Sequence, residues 1–122
     1  MGYNRAEYEV AYAYEEGFGT DKYPKLAFEY YKKAYEHGNR SAIEKYAWCL
    51  TNSFGTDNDY NLAFKLYKEG ESVNDVVCIS NMGWCYYYGK GVGKDLVKAK
   101  EYVKRAADMG YEWAQNKFKE WF

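Results

Sequence analysis

The sequence predicts an all-α fold: a right-handed α-solenoid of three 36-residue helical hairpins plus a C-terminal capping helix. Three observations predict it. The chain repeats with a gapless period of 36, each copy carries apolar residues at i, i+3, i+4, i+7, and glycine-rich stretches separate the helical ones. The one proline, Pro24, leaves the helical stretches otherwise uninterrupted.

The register runs the length of the chain. Gly2, Gly38 and Gly110 are in step, with Asn74 in the third copy. Ala6, Ala42, Cys78 and Ala114 follow, then Tyr12, Trp48 and Trp84; Ala13, Cys49 and Cys85; Gly19, Gly55 and Gly91; Ala27, Ala63 and Ala99. Phe118 continues the series of Val10, Tyr46 and Met82. The units are 2–37, 38–73 and 74–109, with a cap at 110–122, in a single repeat domain over 1–122.

Each unit holds two helical stripes. Ile43, Tyr46, Ala47 and Leu50 form one face, and Ala63, Leu66, Tyr67 and Gly70 the next. The third unit repeats this with Ile79, Met82, Gly83 and Tyr86, then Ala99, Tyr102, Val103 and Ala106. Small residues at Ala47 and Gly83, and at Ala63 and Ala99, let paired helices approach closely. Turns fall at Gly17-Phe18-Gly19-Thr20-Asp21, Gly55-Thr56-Asp57 and Gly89-Lys90-Gly91-Val92-Gly93. The expected helices span 3–16, 24–37, 40–52, 60–71, 76–88, 95–109 and 112–121.

The last helix reads as an end piece, because a terminal repeat lacks a neighbour to cover it. Lys119 stands where Ala11, Ala47 and Gly83 stand, which suits a helix with no second helix packed on it. Trp121 replaces Ala13, Cys49 and Cys85, so a large ring covers an open edge. At the other end Glu7 replaces Ile43 and Ile79, which predicts an exposed first helix.

Composition narrows the function classes. The net charge is −1, with ten acidic and seven basic side chains in residues 1–61 and eight and ten in the remainder, so no global field draws the chain to nucleic acid or membrane. No apolar run approaches the ~20 residues that span a bilayer. The N-terminus has no secretory apolar segment and no Ser or Thr at position 6 for a myristoylation signal. Three cysteines, an odd number, read as reduced thiols in the cytoplasm. A monomer is expected.

The stretch Met82-Gly83-Trp84-Cys85-Tyr86-Tyr87-Tyr88-Gly89-Lys90-Gly91-Val92, followed by Asp95, Lys98-Ala99, Tyr102, Ala106-Ala107, Gly110 and Ala114, resembles a Sel1-like repeat, a relative of the tetratricopeptide repeat. The first unit is looser, with Val10-Ala11, Tyr14, Gly17 and Gly19. The second departs further, with Ser53 in place of a turn glycine and Gly70 in place of an alanine. The resemblance covers essentially the whole chain. It implies a protein-interaction scaffold, and leaves the partner open because these repeats serve many.

The first helix of each unit has a face left over once its apolar stripe is assigned, at ~100° per residue. That face carries Tyr8, Tyr12 and Glu15; then Glu44, Trp48 and Thr51; then Ser80, Trp84 and Tyr87. In tetratricopeptide-like arrays this face lines the concave surface, so Tyr12, Trp48 and Trp84 become an aromatic ladder for a protein or peptide partner. The competing reading is that the rings pack on neighbouring helices and stiffen the array.

Other constellations carry less chemistry. Lys90, Lys94, Lys98, Lys100, Lys104 and Arg105 offer a phosphate or nucleic-acid patch, but Asp95, Glu101 and Asp108 interleave them as on a solvated helix. Gly89 to Lys94 is not a phosphate loop: Tyr88 stands where the first glycine belongs and Asp95 where Ser or Thr belongs. Cys49 and Cys85 share a position with Ala13 and read as small, buried and inert. Cys78 and Cys85 lie roughly 10 Å apart on one helix, too far for a disulfide. Cys78 resembles one end of the disulfides in the secreted, cysteine-rich branch of the family, but Ala106 and Ala107 supply no second thiol. His37, the one histidine, sits at a helix end where it can donate to free carbonyls. Glu15-Glu16 and Glu69/Glu71 are ordinary helix surface. Without a nucleophile–base set, a metal cluster or a cofactor loop, the sequence reads as no enzyme, with no metal and no cofactor. An inhibitor or immunity-type protein that occludes an enzyme is the alternative of the same size and class.

Overall fold

A computed structural model describes residues 2–17 and 23–122. Most of the turn expected at 17–21, including Gly19, lies outside them. Seven α-helices and no strand occur among the described residues. They group into two compact units, residues 1–59 and 60–122.

The first unit contains α1 (Gly2–Glu16), α2 (Pro24–Glu36) and α3 (Ser41–Asn52), with α1 packed on α2 and α2 on α3. Pro24 occupies the first turn of α2, where a missing N–H costs nothing. The α3 stripe of Ala42, Ile43, Tyr46, Ala47, Cys49 and Leu50 is buried, as its spacing predicts. Tyr46 packs between Phe28 and Tyr35, with ring centroids 5.7 and 5.4 Å away. α3 ends in Ser53, which takes a left-handed conformation at φ 52° where the corresponding Gly89 has φ 68°. Serine there is strained, which is the physical content of the weaker repeat match at this turn.

The second unit contains α4 (Tyr60–Ser72), α5 (Val76–Tyr88), α6 (Leu96–Asp108) and α7 (Glu112–Trp121), each packed on the next. Asp75 caps α5 by accepting from the N–H groups of Val77 and Cys78 at 3.0 and 3.1 Å. Asp95 caps α6 through the N–H of Lys98 at 3.1 Å. Gly83 lets α5 and α6 touch, since a Cβ there would lie 2.6 Å from Val103 Cγ2. α7 closes the unit: Ala114 joins Ile79, Val103 and Ala106 in a buried cluster flanked by Trp113, Phe118 and Trp121. Lys119 is exposed. The helix bounds fall within a residue of the expected spans.

The turn glycines are fixed by contact. A Cβ on Gly55 would collide with the Pro24 carbonyl, and one on Gly91 with that of Tyr60. Pro24 and Tyr60 are repeat equivalents, so the same seat recurs once in each unit.

One expectation is overturned. Glu7 is not on an exposed helix face: it is 8% exposed, and its Oε1 lies 2.6 Å from Nδ1 of His37. A carboxylate survives at a core position because an imidazole from the end of α2 reaches it. The ring of His37 therefore fastens α2 to α1, a different task from the expected carbonyl contact.

Candidate functional site

In the first unit the leftover face of α1 and α3 is partly closed by its own contacts. Glu15 Oε1 accepts from the Tyr31 hydroxyl at 2.6 Å, and Glu15 Oε2 lies 3.4 Å from Lys45 Nζ. Tyr31 is fully buried, and burial, then the bond to Glu15, pushes its hydroxyl well above the ordinary tyrosine range. Burial opposes the Lys45 charge, yet Glu15 and then Glu44 hold it above the usual lysine value. Tyr8 is half-buried with its ring 5.5 Å from Tyr31; burial raises its hydroxyl, Lys45 lowers it, and Glu44 and Glu15 raise it further. Glu15 is thus the centre of an internal network, occupied before any partner arrives.

Tyr12 is 39% exposed, with the Lys45 ammonium 6.0 Å above its ring. Trp48 is half-buried against Phe54, with centroids 5.1 Å apart. Its carbonyl accepts from Thr51 Oγ1 at 3.1 Å and Asn52 Nδ2 at 3.0 Å. Glu44 and Thr51 are half-buried as well.

In the second unit one expectation fails. Ser80 is fully buried, and its Oγ has no hydrogen-bond partner among the described residues. It offers nothing to a partner, because a small side chain in this register is covered where Tyr8 and Glu44 reach out. Trp84 is half-buried between Tyr60 and Tyr88, at 6.3 and 5.6 Å. Tyr87 stacks on Trp121 with centroids 3.9 Å apart and planes 10° from parallel. Trp121, expected to cover an open edge, lies on Tyr87.

Beside that stack runs an open groove of about 620 Å³ that the sequence reading missed. Tyr87, Trp121, Phe122, Leu96 and Val97 give it apolar walls, and Lys100, Glu101 and Lys104 border it. The signal was available: Val97 stands where exposed Lys25 and Asn61 stand in the earlier copies.

The basic stretch is largely spoken for. Lys90 lies over the Tyr60 ring at 5.0 Å and Lys98 over Tyr86 at 5.5 Å. Lys104 meets Asp108 at 3.2 Å, and Arg105 meets Glu71 at 2.8 Å and Asn74 at 3.2 Å. Cys49, Cys78 and Cys85 are buried, and burial pushes the thiols of Cys49 and Cys85 up to about 12. Among the described residues no group of three His, Cys, Asp or Glu side chains could hold a metal ion, and no helix is long and apolar enough to cross a membrane.

Comparison with known proteins agrees with this architecture. Residues 4–39, 40–70 and 76–111 each match the Sel1 repeat. No curated protein matches the chain by sequence. Among solved structures, a protective antigen of uropathogenic Escherichia coli strains displaying an SLR fold superposes with a TM-score of 0.86 at 28% identity, over 95% of this chain and 25% of its own. A Sel1 repeat protein from Oxalobacter formigenes gives 0.83 at 30% identity, over 94% of this chain and 47% of its own. The cysteine-rich protein B of Helicobacter pylori gives 0.63 at 26% identity, over 74% and 68%. The chain therefore spans a quarter and about half the length of the first two. The all-α solenoid of helical hairpins with a C-terminal helix is the fold these proteins share with it.

Proposed function

This chain belongs to the Sel1 repeat family, and on that premise we propose that it is a non-catalytic module that binds an extended or helical segment of a protein partner. Sel1 repeat proteins generally mediate protein–protein interaction and are typically scaffolds. The contact face is the one that is concave in tetratricopeptide-like arrays, each unit offering its own aromatics: Tyr12 and Trp48 in the first, Trp84 and Tyr87 in the second. Tyr8, Glu44 and Thr51 border them, Glu15 acts through Lys45, and Ser80 takes no part.

One observation carries this reading. Three aromatic residues recur 36 apart at positions 12, 48 and 84, and none is fully buried. Large rings half-open to water at one repeated register are characteristic interface anchors. The phosphate or nucleic-acid reading is weaker, because Lys90, Lys98 and Arg105 already face rings or acids.

Affinity capture from the native host, with wild type beside a Trp48→Ala/Trp84→Ala double variant, tests it. Each substitution should cost the partner on the order of 2 kcal/mol or more. The variant's melting temperature should stay near wild type. Packing rings would instead cost about 3–5 kcal/mol of stability each. Unchanged capture, or collapse of the fold in both single variants, removes the site. Weak dependence on salt is expected, and a steep fall with salt would favour the phosphate reading.

A further inference from the structure

We infer that the groove walled by Tyr87, Leu96, Val97 and Phe122 takes an acidic amphipathic segment of a partner protein, its apolar side chains in the groove and its carboxylates on Lys100 and Lys104. The inference rests on the reading of the chain as a binding module and extends that module's contact from Tyr87 into this groove, with a stated chemistry.

Exposure comes first. Val97 is 70% exposed and Leu96 49%, on the opening turn of α6. The other copies put lysine and asparagine at the position of Val97, so solvent alone does not ask for an apolar residue there. These side chains line one concavity with Tyr87 of α5 and with Trp121 and Phe122. A concavity between helices buries side chains that project into it, which a flat lipid surface does not do.

Size and charge then select the occupant. From Leu96 to Lys104 the α6 wall runs about 12 Å, two turns of a docked helix. Lys100 has no carboxylate partner among the described residues, and Glu101 is the single acid among the lining residues. The Lys104–Asp108 pair is exposed on both sides, so solvent screening leaves it weak and Lys104 free to exchange partners. The border is therefore net positive beside an apolar floor, and the complementary ligand is apolar with acidic flanks.

The test uses the full chain and a fluorescein-labelled 14-residue helical peptide with leucines on one face and glutamates beside them. Its counterpart carries lysine for every glutamate. The acidic peptide should bind at least tenfold tighter than the basic one and weaken with salt. Val97→Asp should reduce binding tenfold or more with an unchanged melting curve, and Lys100→Glu/Lys104→Glu should reverse the preference. Equal binding of both peptides, or indifference to Val97→Asp, overturns the inference. Binding to phosphatidylserine vesicles without peptide binding would assign the groove to lipid, and a dimer dispersed by Val97→Asp would assign it to a second copy; either result overturns it. Trp48→Ala/Trp84→Ala should leave peptide binding intact. If the peptides fail while partner capture still depends on Trp48 and Trp84, the groove falls and the binding module stands.

Discussion

Gly70 and Cys78 fit each other as a pair: a Cβ on Gly70 would collide with the Cys78 thiol and come within 2.5 Å of its Cβ. The equivalent positions elsewhere are alanine on both sides, Ala34 with Ala42 and Ala106 with Ala114. One side has given up a methyl group and the other has gained a sulfur.

Gly70→Ala alone should therefore destabilise the chain by about 1–3 kcal/mol through overpacking. The same change with Cys78→Ala should be neutral or stabilising, because alanine gains about 1 kcal/mol over glycine inside a helix. Urea melts of the two single variants and the double one check this. Additive effects would mean that the two residues do not compensate.

The network at Glu15 gives a second expectation. Tyr31→Phe keeps the buried ring and removes the donor, so it should cost about 1.5–3 kcal/mol, the range for a hydrogen bond to a charged group. With Glu15→Gln already present, the cost should drop to about 1 kcal/mol. Denaturant melts of the four proteins of the cycle report the coupling.

Alkaline pH should unfold the protein in a stated direction. The Cys49 and Cys85 thiols ionise at about 12 in the fold against 9.0 ordinarily. Their contribution is fully present below pH 9.0 and is lost as pH rises toward about 12, because the unfolded chain sheds its protons first. The slope is at most about 1.4 kcal/mol per pH unit for each thiol. The raised Tyr31 hydroxyl acts in the same direction. Urea midpoints between pH 8 and 11, for wild type and for Cys49→Ala/Cys85→Ala, separate the thiol part, and the variant should show the shallower decline.

Removing residues 112–122 should expose Ile79, Val103 and Ala106 and withdraw Trp113, Phe118 and Trp121 from around them. At about 1.5–3 kcal/mol for each large side chain fully buried, the loss is comparable with a small domain's whole stability. Aggregation or a strongly lowered melting temperature is expected. A soluble truncation with an unchanged melt would show that α7 is not a cap.

The helices and the small-residue contacts were legible because each is a property of one helix and its repeat register. Ala47, Gly83 and Ala114 say how near another backbone comes, whichever backbone it is. What failed depends on which side chain arrives from elsewhere. A helical wheel puts Glu7 on the core stripe, where its charge suggests exposure, and Glu15 off it, yet His37 and Tyr31 reach them from the end and middle of α2. Ser80 fails for a related reason, since the wheel measures angle and not what covers it. The groove was missed because its walls come from three helices, although Val97 in a polar register was a visible sign.

The seats of Gly55 on Pro24 and of Gly91 on Tyr60 both run backward along the chain, each turn meeting a residue 31 positions earlier. During synthesis the earlier residue has always emerged first. Each of these two turns leaves the ribosome with its seat already made. Local contacts of this kind favour fast folding, so the nascent chain is set to lock its hairpins one after another from the N-terminus, with only the newest one open to aggregation or to chaperones.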